Sequence, residues 1–440
     1  MVTTTHVPEA ARPTTAVSPS PHDADPPAPD SVPDSARPAW PQRRLWVLGA
    51  LACAVWAVCF PIISTLRPEQ NWGLIAFGGY LLAAAAAAFA PPRLAPRLAV
   101  GLALLGAVLI PLVVMLAQRW AQSEVQVVQN SAVQLLHTGS PYIRHPRKVT
   151  QYDPYLPAMA LFGLPRALLG THGTLLRFLG DARIWFLVAF CGCLIPAWRL
   201  LRPGDPARGR LALGAVIASP LIALSVAVSG VDLPLIGCCL LGLACAGRGQ
   251  ALRAGLVIAL ACSLKWTAWP AFPVALLLLH YRYGLRAALR CTATTLTAGA
   301  LLILPFVLVT PAAVMEQVVR FPLGLSRMRT PADSPLPGHL LAELGSGGRV
   351  ASLVLLGLGG VGVALWLLLR PPGSVVQAAD RLAAGVAVAF LLAPAGRFGY
   401  LDLPVLLVLW PRLAVGSLRA RPPARSGIVS QEDVVVAVDS

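Results

Sequence analysis

The chain has 440 residues, of which 56% are hydrophobic and only 12% charged, with a formal net charge of +16 and a mean hydropathy of +0.69. Soluble domains carry about 25% charged residues, so half that share with repeated apolar runs excludes an ordinary soluble enzyme and predicts a multi-pass helical membrane protein. The positive excess is mostly arginine spread over loops, which signals topology and argues against a nucleic-acid footprint.

Residues 1–41 are rich in Pro, Ser, Thr, Ala and Asp and lack apolar periodicity, which predicts a disordered tail. Roughly forty mostly polar residues precede the first apolar run, unlike a signal peptide. Arg43 and Arg44 close this tail and predict a cytoplasmic N-terminus.

Apolar runs then predict an all-α polytopic domain over 42–416. Its crossings number about twelve, at 45–65, 73–90, 98–117, 183–201, 211–229, 231–247, 252–265, 266–281, 291–310, 350–370, 381–396 and 399–416. The region 252–281 reads as one span or as a hairpin. Arg248 and Arg253 before it, and Arg282, Arg286 and Arg290 after it, favour an in–out–in hairpin. Pro270 and Pro273 break its descending arm. With this count Arg93 and Arg97, Arg199 to Arg210, Arg370 to Arg381 and Arg412 to Arg425 all face the cytoplasm. Both termini lie there too, the last as a polar tail over 417–440. The long loops 118–155 and 311–349 fall outside. Arg119, Arg144, Arg147, Lys148, Arg320, Arg327 and Arg329 in those loops violate the charge bias, and gripping phosphate is a job that would explain them. The nine cysteines all lie in or beside apolar segments and read as small buried hydrophobes without metal-ligand company.

The first outer loop is the informative one. Val125, Val127, Val128, Ala132, Leu135 and Leu136 recur at helical spacing, which predicts a juxtamembrane helix from near Ser123 that ends at Gly139 and Pro141. Glu124 in its first turn either complements the helix dipole or serves as a general base at the lipid–water boundary. The basic run Arg144, His145, Arg147 and Lys148 reads as an anionic-lipid contact or as a grip on a lipid-linked phosphate. Tyr152-Asp153-Pro154-Tyr155 follows. Residues 156–169 are too short to cross and predict an interfacial or re-entrant helix on the outer face.

Further along, Asp232 sits in a short outer turn, where it caps the next helix or binds a sugar hydroxyl. Lys265, flanked by Trp266 and Trp269, either snorkels to the interface or recognises phosphate. The loop 311–349 carries Glu316, Arg320, Arg327, Arg329, Asp333, His339 and Glu343. It is a solvated loop, or a mobile lid bearing an arginine or histidine for phosphate. Arg397, Tyr400 and Asp402 form one more outer cluster, in which Arg397 and Asp402 are expected to pair.

The acid early in the first outer loop, the amphipathic helix, the stretch Leu135-Leu136-His137-Thr138-Gly139-Ser140-Pro141-Tyr142 and the segment Tyr152-Asp153-Pro154-Tyr155 together resemble the GT-C polytopic glycosyltransferases. The likeness is greatest to glycosyltransferase family 87, the bacterial polyprenyl-phosphate-mannose-dependent mannosyltransferases. Ser229-Gly230-Val231-Asp232-Leu233-Pro234, the stretch from Arg248 to Gly255, and Leu264-Lys265-Trp266-Thr267-Ala268-Trp269-Pro270 are similar to that family's middle region. The resemblance covers residues 98–310.

The resemblance implies a hexose, mannose, carried on polyprenyl phosphate and presented at the outer face of a bacterial plasma membrane. It implies an inverting transfer in which Glu124 takes the proton of the acceptor hydroxyl. On this reading Arg144, His145, Arg147, Lys148, Tyr152, Asp153, Tyr155, Asp232, Lys265, Arg320, Arg327 and His339 hold the donor's phosphate or sugar. The acceptor is a lipid or glycan, the surroundings are membrane lipids, and no nucleic acid, cofactor or metal takes part. The alternative is a lipid-linked sugar flippase or other multi-pass transporter. Transporters often show internal repeats and midplane sites, whereas the unexplained charges here gather at one surface.

Overall fold

The computed structural model describes residues 40–170, 172–202, 206–328 and 330–415. The tails expected at 1–41 and 417–440, apart from Trp40 and Pro41, lie outside the described residues, as does Arg329. Every regular element among the described residues is a helix, and the one strand-like feature is an isolated bridge between Asp333 and Gly396.

The chain begins with three helices, α1 (Gln42–Ile63), α2 (Arg67–Phe89) and α3 (Ala95–Gln118). In α2 and α3 the backbones of Gly79 and Gly106 touch, and a Cβ at either would collide with the other's main chain. Small residues of this kind bring helices close where no hydrophobic drive acts between them in lipid. Two shorter helices follow, α4 (Ser123–Thr138) and α5 (Pro157–Leu169). Next come α6 (Ala182–Leu201), α7 (Pro206–Ile217), α8 (Pro220–Val228), α9 (Leu233–Gly247), α10 (Ala251–Leu264) and α11 (Ala271–Tyr283). The chain closes with α12 (Leu285–Val309), α13 (Ser346–Leu369), α14 (Val375–Leu392) and α15 (Phe398–Val415).

Eight of these helices are long and apolar enough to cross a membrane, namely α1, α2, α3, α6, α12, α13, α14 and α15. The pair α7 and α8, bent by 67°, makes a ninth if taken as one span. The bend falls where Pro220 opens α8 and removes an N–H from the ladder, and the Tyr80 hydroxyl donates to the Ala218 carbonyl within the bend at 2.7 Å. The remaining expected crossings, 231–247, 252–265 and 266–281, are built as α9, α10 and α11, of 15, 14 and 13 residues. At 1.5 Å per residue these helices are about 20–22 Å long, less than a hydrocarbon core of about 30 Å. Apolar runs can therefore outnumber full-length spans. The helices α10 and α11 are separate arms joined by a turn at Trp266–Ala268, which is the hairpin arrangement.

The innermost helix is α9, where every residue from Leu233 to Gly247 except Leu241 is buried. It packs on α6, α10, α11, α14 and α15. By contrast α1, α12 and α13 expose Val55, Leu301, Leu308 and Leu358, the outward leucine and valine faces expected against lipid.

The connections sort to two ends. At one, the Gln122 N–H donates to the Val228 carbonyl at 2.9 Å, the Leu156 N–H to Leu264 at 2.9 Å, and Gly396 to Ala332 at 3.1 Å, while the Ser140 and Thr310 hydroxyls lie 2.9 Å apart. At the other, Tyr283 donates to Gly247 at 2.6 Å and Arg412 to Asp380 at 2.8 Å. The long loops lie at the first end.

Candidate active site

The helix α4 starts at Ser123 behind an extended Gln122, with Glu124 in its first turn, and closes on Gly139 at φ 73°, as the sequence predicts. On its flank, a Cβ at Gly163 would meet the Val128 carbonyl, so α5 lies directly on the α4 backbone. The loop between them folds inward. The Tyr142 hydroxyl donates to the Tyr155 carbonyl at 2.8 Å. The Asp153 carboxylate accepts from the Tyr155 N–H at 3.0 Å, and the Asp153 N–H donates to Gln317 at 3.0 Å. Burial pushes the Asp153 carboxyl up to about 7, opposed by the Tyr155 N–H and the Ser131 hydroxyl. Tyr152 stacks on Phe321 with ring centroids 4.7 Å apart. Tyr152 and Asp153 thus form a buried platform on which Tyr155 stands.

Four ionisable groups meet beside that platform. The Arg397 guanidinium, in the loop before α15, donates to the Glu124 carboxylate and, at 3.2 Å, to the Pro331 carbonyl. Lys265 Nζ lies 2.8 Å from Asp232 Oδ1. Asp232 is at the N-terminus of α9 and Lys265 at the C-terminus of α10, so each charge complements its helix dipole. Asp232 makes no capping bond, because Lys265 takes its oxygen. The same ammonium lies 4.3 Å from the Tyr400 ring centroid and 5.7 Å from that of Tyr155, a cation–π arrangement. Below, the Ser225 hydroxyl donates to Asp402 Oδ2 at 2.5 Å, while the other Asp402 oxygen is buried without a partner among the described residues.

The electrostatics tie the groups together. Burial lifts the Tyr155 phenol well above its ordinary value, and the charges of Glu124 and Asp232 lift it further, so it stays a hydrogen-bond donor. Burial works against the charge on Arg397, and Glu124, Tyr400, Tyr155 and Asp333 more than compensate, so its pKa sits above the usual value.

Of the residues expected at the site, the structure brings together Glu124, Tyr155, Asp232 and Lys265. Arg144, His145, Arg147 and Lys148 are exposed on the loop after α4. Arg320 is exposed and lies 3.7 Å from Glu316, and Arg327 is exposed. His339 Nδ1 lies 3.1 Å from the Pro394 carbonyl and Nε2 3.3 Å from Glu343, which anchors the chain leading to Arg397. The expected pairing of Arg397 with Asp402 is not formed, since Arg397 goes to Glu124 and Asp402 to Ser225. Five positions apart, the two are not neighbours on a helical surface. Arg397 and Tyr400 thus join the Glu124 and Lys265 groups, and only the partner of Arg397 differs from the expectation. The usable signal was an arginine at the outer end of an apolar segment with no acid three or four positions away.

Two carboxylates, two cations and two tyrosine rings in one partly desolvated cluster suit proton acceptance next to a developing negative charge. Among the described residues no three His, Cys, Asp or Glu side chains converge as a metal would need.

A family model described as glycosyltransferase family 87 matches residues 154–394, more than half of the chain. The matched stretch holds Tyr155, Asp232 and Lys265. It begins after Glu124 and stops before Arg397 and Tyr400. No curated protein and no solved structure matches the chain.

Proposed function

Because the chain belongs to glycosyltransferase family 87 and is thus a membrane glycosyltransferase, we propose that it moves mannose from a polyprenyl-phosphate donor to an extracytoplasmic lipid or glycan acceptor. The observation that carries this reading is the meeting of Glu124 with Arg397, and of Asp232 with Lys265, around Tyr155 at one end of the helices. In the reaction the acceptor oxygen attacks the anomeric carbon and its proton passes to Glu124. The bond from that carbon to the phosphate oxygen breaks, and the polyprenyl phosphate departs with the electron pair. Arg397 and Lys265 stabilise the charge that builds on it. Attack from the face opposite the leaving group inverts the anomeric centre.

An outer-face location is supported by charge. Arg43, Arg93, Arg199, Arg248, Arg286 and Arg370 all lie at or near helix ends remote from the cluster in the order of crossings, and such an excess marks the cytoplasmic side. The bacterial plasma membrane is the setting this reading implies.

The deciding experiment compares the protein with Glu124→Gln in membranes supplied with polyprenyl-phosphate mannose. Transfer should vanish from the variant while folded protein remains. Full transfer by the variant would reject Glu124 as the base. A solute flux that survives in the variant, with no sugar transfer by either form, would instead favour a transporter.

A further inference from the structure

Behind α4, on the face turned away from Glu124, lies a cavity of about 310 Å³, at the lower end of small-molecule sites. At 100° per residue, Val125, Gln126 and Gln129 share a face of α4 turned away from Glu124, and Gln122 just before the helix completes this wall. The cavity wall carries four arginines, Arg119, Arg166, Arg177 and Arg183, and one acid, Asp181. That acid is already used: Arg183 Nε and Nη2 donate to its two oxygens at 2.9 and 3.0 Å. Arg183, 1% exposed, gives its Nη1 donors to the Trp120 and Ala227 carbonyls at 3.1 and 2.6 Å. Arg119, Arg166 and Arg177 also line the cavity, without a carboxylate partner among the described residues.

Two further observations concern donors. Gln129 Nε2 and Arg177 Nε are buried and have no hydrogen-bond partner among the described residues. A buried donor left unmade costs on the order of 1–3 kcal/mol, and both of these line the one cavity. Arg119 is the only non-glycine residue with positive φ among the described residues, at φ 60° and ψ 31°, where it ends α3. Glycine takes that conformation more cheaply, so an arginine held there points to a use for its side chain.

We propose that this cavity is an anion site that takes a phosphate group, separate from the Glu124 cluster. A cationic ligand would be repelled by the arginines of the wall, and a neutral one would leave their charge unbalanced. Phosphate offers several acceptor oxygens to guanidinium forks that present paired donors. The group can arrive on an anionic phospholipid headgroup, since the cavity lies at the end of α3 beside the interfacial helix α5, or as a soluble phosphate. Its occupancy does not depend on the transferase reading.

The test uses the purified full chain in detergent. Its thermal unfolding midpoint is followed against inorganic phosphate and against phosphatidylglycerol, with phosphatidylcholine as the reference lipid. Native mass spectrometry reads retained lipid. The unchanged protein should be stabilised by at least one of the two anions, and the Arg166→Gln/Arg177→Gln variant should bind it at least about tenfold more weakly. Arg286→Gln/Arg290→Gln removes equal charge at the opposite end and should bind as the unchanged protein does. Arg119→Gly guards against a folding artefact: relief of the left-handed backbone should hold or raise the ligand-free midpoint while the anion-induced shift shrinks. Phosphatidylglycerol alone acting would identify a headgroup, and inorganic phosphate acting alone a soluble source. Either result supports the site. No stabilisation by either anion, or equal binding by the Arg166/Arg177 variant, would overturn it.

Discussion

Arg397 donates to the carboxylate of Glu124 across 273 residues of sequence. Each side chain is mostly buried, at 22% and 15% exposure, so neither charge is well served by water alone. Under the proposed chemistry the two act as one device. Glu124→Gln should lower transfer by about 10²–10⁴-fold and Arg397→Gln by about 10²–10³-fold. The double variant should then fall within about tenfold of the worse single one, as groups that work as a unit do. A measured transfer-rate cycle whose losses multiply would separate the two residues.

Lys265 and Asp232 give a different pattern. Their 2.8 Å pair is largely enclosed, with side-chain exposures of 8% and 19%. Breaking such a pair from one side leaves a buried charge unmatched and costs about 3–5 kcal/mol, whereas replacing both partners by apolar groups is often near neutral. Lys265→Met should lower the thermal midpoint strongly, and Lys265→Met/Asp232→Leu should recover most of the loss. Sugar transfer should be absent from both. Recovery of transfer along with stability would make this pair a structural strut.

Asp153 makes stability depend on pH. Its carboxyl titrates at about 7 in the fold, against about 3.9 in an unfolded chain. The folded state therefore holds its proton more tightly. The resulting stabilisation is fully present below the unfolded value and is lost as pH rises through the folded one. The thermal midpoint should fall between about pH 4 and about pH 7. Asp153→Asn keeps the acceptor for the Tyr155 N–H and should flatten that slope. An equal slope in both proteins would mean that another group controls it.

Gly163 lies where α5 crosses α4, and a side chain there would strike the Val128 carbonyl, the Ala132 methyl and the Gln129 backbone. Gly163→Ala should cost about 1–3 kcal/mol by overpacking. Hydrogen exchange should quicken in α5 before it does in α9, because the clash is local. Unchanged protection in α5 would show that the two helices separate at no cost.

The start of α4 at Ser123, its stop at Gly139 and the short α5 were all legible, because local rules govern them: apolar spacing, a left-handed glycine and a run too brief to cross. Glu124, Tyr155, Asp232 and Lys265 were legible as a group because carboxylates, lysines and tyrosines are rare in this chain and these four fall at the same end of the helices. Which residue pairs with which was not. Asp402 looked like the partner of Arg397, yet it bonds to Ser225, 177 positions away. Such pairings follow from how α8, α9, α14 and α15 pack, and no local pattern records that. The same limit covers the basic run at Arg144 to Lys148, whose composition suggested phosphate and which the structure leaves exposed on the loop after α4.

The short length of α9 and α10 has one more outcome. Starting from the arginine-rich end, about 22 Å of helix stops well before the far side of a bilayer whose hydrocarbon is about 30 Å deep, and Asp232 and Lys265 mark where it stops. Under the proposed chemistry the reaction would therefore take place below the surrounding lipid headgroups, where a reactant tethered to a membrane tail can arrive sideways at its own depth.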